Sequence, residues 1–186
     1  MNKTIGCFII HGFGGSIKEI LPLAQYLDKE GFITCCPQLK GHTGKRRDLS
    51  HVRYTDWIES AENELKQFKS QCEYIVLIGF SMGGLIAVNL AAKYGIDAMV
   101  TLNMPIFHWD FNIITQNIWE DLKNKKCKYI KHYLKASFNK PLYSLINFKI
   151  LLHSTKPLLK KIRCPIFIVQ AMEDDTVQHR SADYIY

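Results

Sequence analysis

Five short apolar runs punctuate the chain, at 5–10, 32–36, 74–78, 98–102 and 166–170. Each is followed by turn residues and then by apolar positions spaced three and four apart. Strands alternating with helices in this way predict a parallel sheet covered by helices on both faces. The first helix pattern opens with a capping-box signature, Ser16 with Glu19 three residues on. It continues through Ile17, Ile20, Leu21, Ala24 and Leu27 and ends at Gly31. A second helix is expected over about 55–68, with Trp57, Ile58, Ala61, Leu65 and Phe68 at core spacing, and a third over about 82–94, closed by Gly95.

Between Met104 and Lys161 the alternation breaks. Two helical stretches, about 113–137 and 142–153, are separated by Asn139-Lys140-Pro141. This predicts a single domain over 1–186 with a helical lid inserted at 105–161. Phe107, Trp109, Phe111, Trp119, Tyr133 and Phe148 supply apolar surface suited either to a substrate cleft or to packing between lid and core.

Composition adds limits. With 186 residues and 47% hydrophobic content, the chain can bury a core and is unlike disordered or collagenous sequences. No apolar run approaches the roughly 18 residues that span a bilayer, and residues 1–3 read as a plain start rather than a secretory signal. Six cysteines, Cys7, Cys35, Cys36, Cys72, Cys127 and Cys164, lack metal-type spacing and sit in or beside apolar runs, which points to reduced thiols and a cytoplasmic location. The net charge of +7 is concentrated at Lys123, Lys125, Lys126, Lys128, Lys131 and Lys135, and again at Lys156, Lys160, Lys161 and Arg163. No stacking platform or groove-reading motif accompanies these lysines, so they read as solvated surface, and no nucleic-acid partner is expected. Neither a cofactor nor a metal is expected.

The chemistry centres on Gly79-Phe80-Ser81-Met82-Gly83, between the third apolar run and the third helix pattern. A serine hydroxyl is a weak nucleophile unless it is held on a sharp turn beside a base and beside N–H groups that receive an oxyanion. Glycines at 79 and 83 let strand and helix approach closely around a strained Ser81. A second element, His11-Gly12-Phe13-Gly14-Gly15, follows the first strand. Its glycines allow the Phe13 N–H to point at the oxyanion that the Met82 N–H also meets. It lacks the spacing of phosphate-binding loops. His11 is expected to order this loop rather than to act as a base.

Together these elements resemble the α/β-hydrolase superfamily, and within it the small bacterial carboxylesterases and monoacylglycerol lipases. Leu39-Lys40-Gly41-His42 and the run from Cys164 to Asp175 agree with that resemblance. It implies that the acid of a catalytic triad is Asp174, with Asp175 as the neighbouring alternative, fixing a histidine tautomer and stabilising the imidazolium. It also implies a histidine on a loop beyond a further strand, whereas only His179 follows Asp174 here. His179 lies too near Asp174 to serve readily, and His108 and His153 lie in or beside the lid. The resemblance therefore implies a chain truncated before the catalytic histidine, with a C-terminal strand and helix missing. The strand at 166–170 is then an apolar edge able to self-associate.

The expected function is a serine carboxylesterase or lipase acting on short- to medium-chain acyl esters such as monoacylglycerols through an acyl-serine intermediate, impaired in this form. A thioesterase or acyltransferase, or a catalytically dead ligand-binding homologue, are the alternatives.

Overall fold

A computed structural model of the protein describes residues 4–107, 141–174 and 176–186. Five strands, β1 (Ile5–Ile10), β2 (Ile33–Cys35), β3 (Tyr74–Phe80), β4 (Ala98–Leu102) and β5 (Ile166–Val169), form one sheet in the order β2-β1-β3-β4-β5. Every pairing is parallel. Side chains alternate across β1 as a pleated strand requires. Phe8 and Ile10 enter one core with Leu77, Trp57, Leu65 and Leu85, while Cys7 and Ile9 enter another with Ile78, Ile20 and Ala24.

The helices are α1 (Leu21–Lys29), α2 (Arg46–Leu49), α3 (Tyr54–Phe68), α4 (Met82–Lys93), α5 (Leu142–Thr155) and α6 (Arg180–Ile185). The capping box expected at Ser16 and Glu19 does not form: residues Ile17–Glu19 make a 3-10 turn, Ser16 makes no side-chain cap bond, and α1 begins at Leu21. The cause is Pro22. A helix starting at Ile17 would hold this proline in its interior, where it removes one bond and clashes with the preceding turn; starting at Leu21, it falls in the tolerant first turn. In α3, the expected core positions Trp57, Ala61, Leu65 and Phe68 are buried, while Ile58 is half-buried.

Of the expected lid insertion, residues 108–140 lie outside the described residues, and with them Trp109, Phe111, Trp119, Tyr133, the lysine cluster at 123–135 and Cys127. The following helix, α5, is anchored on the core. Phe148, Leu151 and Leu152 are buried, Asn147 Oδ1 accepts from the Tyr54 N–H at 3.0 Å, and Thr155 Oγ1 accepts from Asn89 Nδ2 at 2.7 Å. The cysteines among the described residues are free. Burial pushes the thiols of Cys7 up to about 11 and of Cys35 up to about 12, so both behave as small apolar side chains. Among the described residues no helix is long and apolar enough to cross a membrane.

Register is what builds the functional edge. Ile10 pairs with Gly79, Phe80 with Leu102, and Leu102 with Val169. The loops leaving β1, β3, β4 and β5 therefore emerge side by side at the carboxyl ends of the strands, where open α/β sheets bind ligands. Among the described residues β5 is bonded only to β4, and Phe167 on β5 is 68% exposed.

Candidate active site

Ser81 is the single residue between β3 and α4, at φ 51° and ψ −119°. Non-glycine residues rarely adopt such angles, at a cost of about 1–3 kcal/mol. The turn is held by the Ser81 N–H, which donates to Leu102 O at 2.8 Å, and by the Gly84 N–H, which donates to Ser81 O at 2.9 Å. Neighbouring backbone explains the two flanking glycines. A Cβ on Gly79 would sit 2.4 Å from Gly84 Cα, and one on Gly83 would sit 2.1 Å from Ile10 O. No side chain could rotate away to relieve either overlap.

The loop after β1 lies directly on this elbow: a Cβ on Gly12 would stand 3.4 Å from Ser81 Cβ. Phe13 follows, its ring stacked on Phe148 at 5.1 Å and tilted against Trp57 at 5.7 Å. Met82 occupies the first position of α4 with its side chain fully buried, so its N–H belongs to the helix end that has no acceptor within the helix. Beneath the loop, His11 is fully buried and its Nδ1 lies 3.0 Å from Gly12 O. Gly12 O is an acceptor, so Nδ1 carries the proton, and the buried Nε2 has no hydrogen-bond partner among the described residues. Burial accordingly lowers the His11 pKa below the ordinary histidine value.

Asp174 stands across the same cleft. Its Oδ1 accepts from the N–H groups of Thr176 at 2.8 Å and Val177 at 2.9 Å, and its Oδ2 accepts from Asn103 Nδ2 at 2.7 Å. Asp175, the alternative acid, lies outside the described residues. Asn103 is a residue that the sequence reading missed. It follows β4 at φ 49°, its N–H donates to Val169 O at 2.8 Å, and its Oδ1 accepts from the Ala171 N–H at 2.9 Å. One amide thus ties β4, the end of β5 and the acid loop together.

Gly12, Phe13, Glu19, Phe80, Ser81, Asn103, Asp174, Thr176 and Val177 line one cleft of about 200 Å³, so Ser81, Asp174 and Phe13 share a cavity. Glu19, read from sequence as a cap, instead faces this cleft. The histidines are placed differently. His11 is bonded to Gly12 O, His42 Nδ1 lies 3.2 Å from Lys40 O, His153 Nδ1 lies 3.0 Å from Lys149 O, and His179 opens α6 on the surface. His108 and His132 lie outside the described residues. Among the described residues no cluster of three or more metal-type side chains occurs.

A parallel sheet with a strained serine elbow after its central strand defines a hydrolase architecture. Residues 8–119 match the model of the alpha/beta hydrolase fold family, and the chain belongs to that family. It is 31% identical to a thermostable monoacylglycerol lipase of Bacillus sp. (strain H-257), over all of this chain and 76% of that protein. It is 25% identical to a carboxylesterase of Bacillus subtilis (strain 168), over 96% of this chain and 75% of the relative. Among solved structures, one from work on the metagenome-derived lipolytic enzymes LipS and LipT superposes with a TM-score of 0.79 at 18% identity, covering 99% of this chain and 78% of that one. The chain therefore resembles the small bacterial esterases of the family.

Proposed function

We propose that the protein is a carboxylic-ester hydrolase that attacks acyl esters of the monoacylglycerol type with Ser81. The observation that carries this reading is the elbow: Ser81 held at φ 51° in a cleft shared with Asp174 and Phe13. Attack of Ser81 Oγ on the ester carbonyl gives a tetrahedral intermediate whose oxyanion accepts from the Phe13 and Met82 N–H groups. Collapse expels the alcohol and leaves an acyl-serine, which water then cleaves. Asp174 is the orienting acid. Three of its roughly four acceptor positions are taken by Thr176, Val177 and Asn103, which leaves one for an imidazole N–H. The kinship with a monoacylglycerol lipase and a carboxylesterase supports the substrate class.

Among the described residues no histidine lines the cleft that Ser81 and Asp174 share. Lack of a triad base costs about 10⁴–10⁶ in turnover. The same observation favours a second reading, a ligand-binding homologue without turnover. The test is hydrolysis of p-nitrophenyl esters by the chain, by Ser81→Ala, and by a form extended with a C-terminal segment carrying a histidine loop. Weak turnover that rises on extension and vanishes with Ser81→Ala supports the hydrolase. An inactive extended form counts against it.

A further inference from the structure

In addition to the catalytic cleft, a second cavity has a volume of about 620 Å³. The two share a wall, since Phe13 lines the cleft, Phe148 lines the cavity, and their rings stack. Its volume falls within the roughly 300–1,000 Å³ of small-molecule sites. Ile106, Phe107, Leu145, Ile146, Phe148 and Leu152 make its walls apolar.

Among the described residues the charged or titratable side chains that line it are Lys149, His153, Lys156 and Arg180. Lys149, His153 and Lys156 recur at i, i+4 and i+7 along α5 and its continuation, and so share one helix face. Arg180 enters from the start of α6. Its guanidinium carbon lies 4.2 Å from the centre of the Phe107 ring, and Lys156 Nζ lies 5.1 Å from the same centre. Two cations thus converge on one aromatic ring. The ring offsets part of their repulsion. Among the described residues no ion pair engages them, the pairs being Lys40 with Asp56 and Glu62 with Lys66 and Lys93. An apolar trough whose positive rim has no ion-pair partner among the described residues matches one ligand chemistry, an alkyl chain ending in an anion.

We propose that this cavity is a binding site for a medium-chain fatty carboxylate, with the alkyl chain in the trough and the carboxylate between Lys156 and Arg180. The ligand is the acid that the proposed ester hydrolysis would release, or the same acid taken from solution. Occupancy itself requires no chemistry at Ser81. The inference draws only its physiological meaning from the proposed function, and binding can therefore fail or succeed independently of catalysis.

The test is equilibrium dialysis of radiolabelled decanoate and 1-decanol against the chain, against Ser81→Ala, and against Lys156→Gln/Arg180→Gln, with the folding of each variant checked by its melting curve. Both substituted cations lie at the rim, outside the catalytic cleft. Decanoate is expected to bind at one equivalent, about tenfold or more tighter than decanol at low salt, since a charge-assisted pair contributes on that scale. The preference should shrink as salt rises, and Ser81→Ala should keep it. The double variant should bind both ligands within about twofold of each other. Equal binding of acid and alcohol by the unsubstituted chain overturns the proposal. So does a preference that survives in the double variant, or decanoate that binds without saturation. Binding without ester turnover in the form extended with a histidine loop would leave this site standing and count against the proposed function instead.

Discussion

Replacing Asn103 tests how the acid is held. Its side chain makes two bonds at once, donating to Asp174 Oδ2 at 2.7 Å and accepting from the Ala171 N–H at 2.9 Å, on a backbone with φ 49°. A bond to a carboxylate contributes about 1.5–3 kcal/mol and a neutral one about 0.5–1.5 kcal/mol. The left-handed backbone costs alanine about 1 kcal/mol, a strain that glycine escapes. Asn103 is half-buried, so the low end of each range applies. Asn103→Ala should then lose about 3 kcal/mol and Asn103→Gly about 2 kcal/mol in urea unfolding. For a chain of this length the alanine variant should melt about 6–12 °C lower. The comparison separates the amide from the backbone, since both variants lack the amide and only alanine carries the strain. A loss below about 0.5 kcal/mol in Asn103→Ala would show that the acid loop stands without this tie. Equal losses in the two variants would remove the conformational part of the reasoning.

Three further outcomes follow from other parts of the molecule. Gly83→Ala should be severely destabilised or insoluble, by about 3 kcal/mol or more, because the new Cβ would meet the Ile10 carbonyl at 2.1 Å; unaltered expression and melting would contradict that packing. His11 has a folded pKa below 6.5, so below about pH 6.5 the unfolded chain takes up a proton that the folded chain resists. Stability should fall as pH drops from 7 to 5, less steeply in His11→Asn, which keeps a donor for Gly12 O; identical slopes in urea titrations would refute a neutral buried His11. Finally, among the described residues β5 is paired on one side only and exposes Phe167 and Val169. We propose that the chain self-associates through this edge, so light scattering should show concentration-dependent oligomers that Phe167→Lys disperses.

What could be read from sequence was what short-range sterics dictate. The five strands and helices α1, α3, α4 and α5 all lay under apolar patterns, since one buried face per element repeats with the element's own period. Ser81 was legible because its strained turn needs glycines within two residues on either side. Asp174 was placed by resemblance. Asn103 was not legible, because its bond to Asp174 spans 71 positions and its left-handed backbone carries no local signature. Glu19 was misread for the opposite reason: the capping signature is local, yet with Pro22 the helix starts at Leu21 and Glu19 lines the cleft. The cationic rim also escaped notice, because Arg180 meets Lys156 only once α6 folds back over α5's end.

The central claim is that Ser81 accepts the acyl group. It is tested most directly by incubating the chain with p-nitrophenyl butyrate, quenching in acid and mapping peptides by mass spectrometry. The account predicts a butyryl group on the peptide carrying Ser81, absent from Ser81→Ala. Butyrylation elsewhere that persists in Ser81→Ala, with Ser81 itself unmodified, would contradict it.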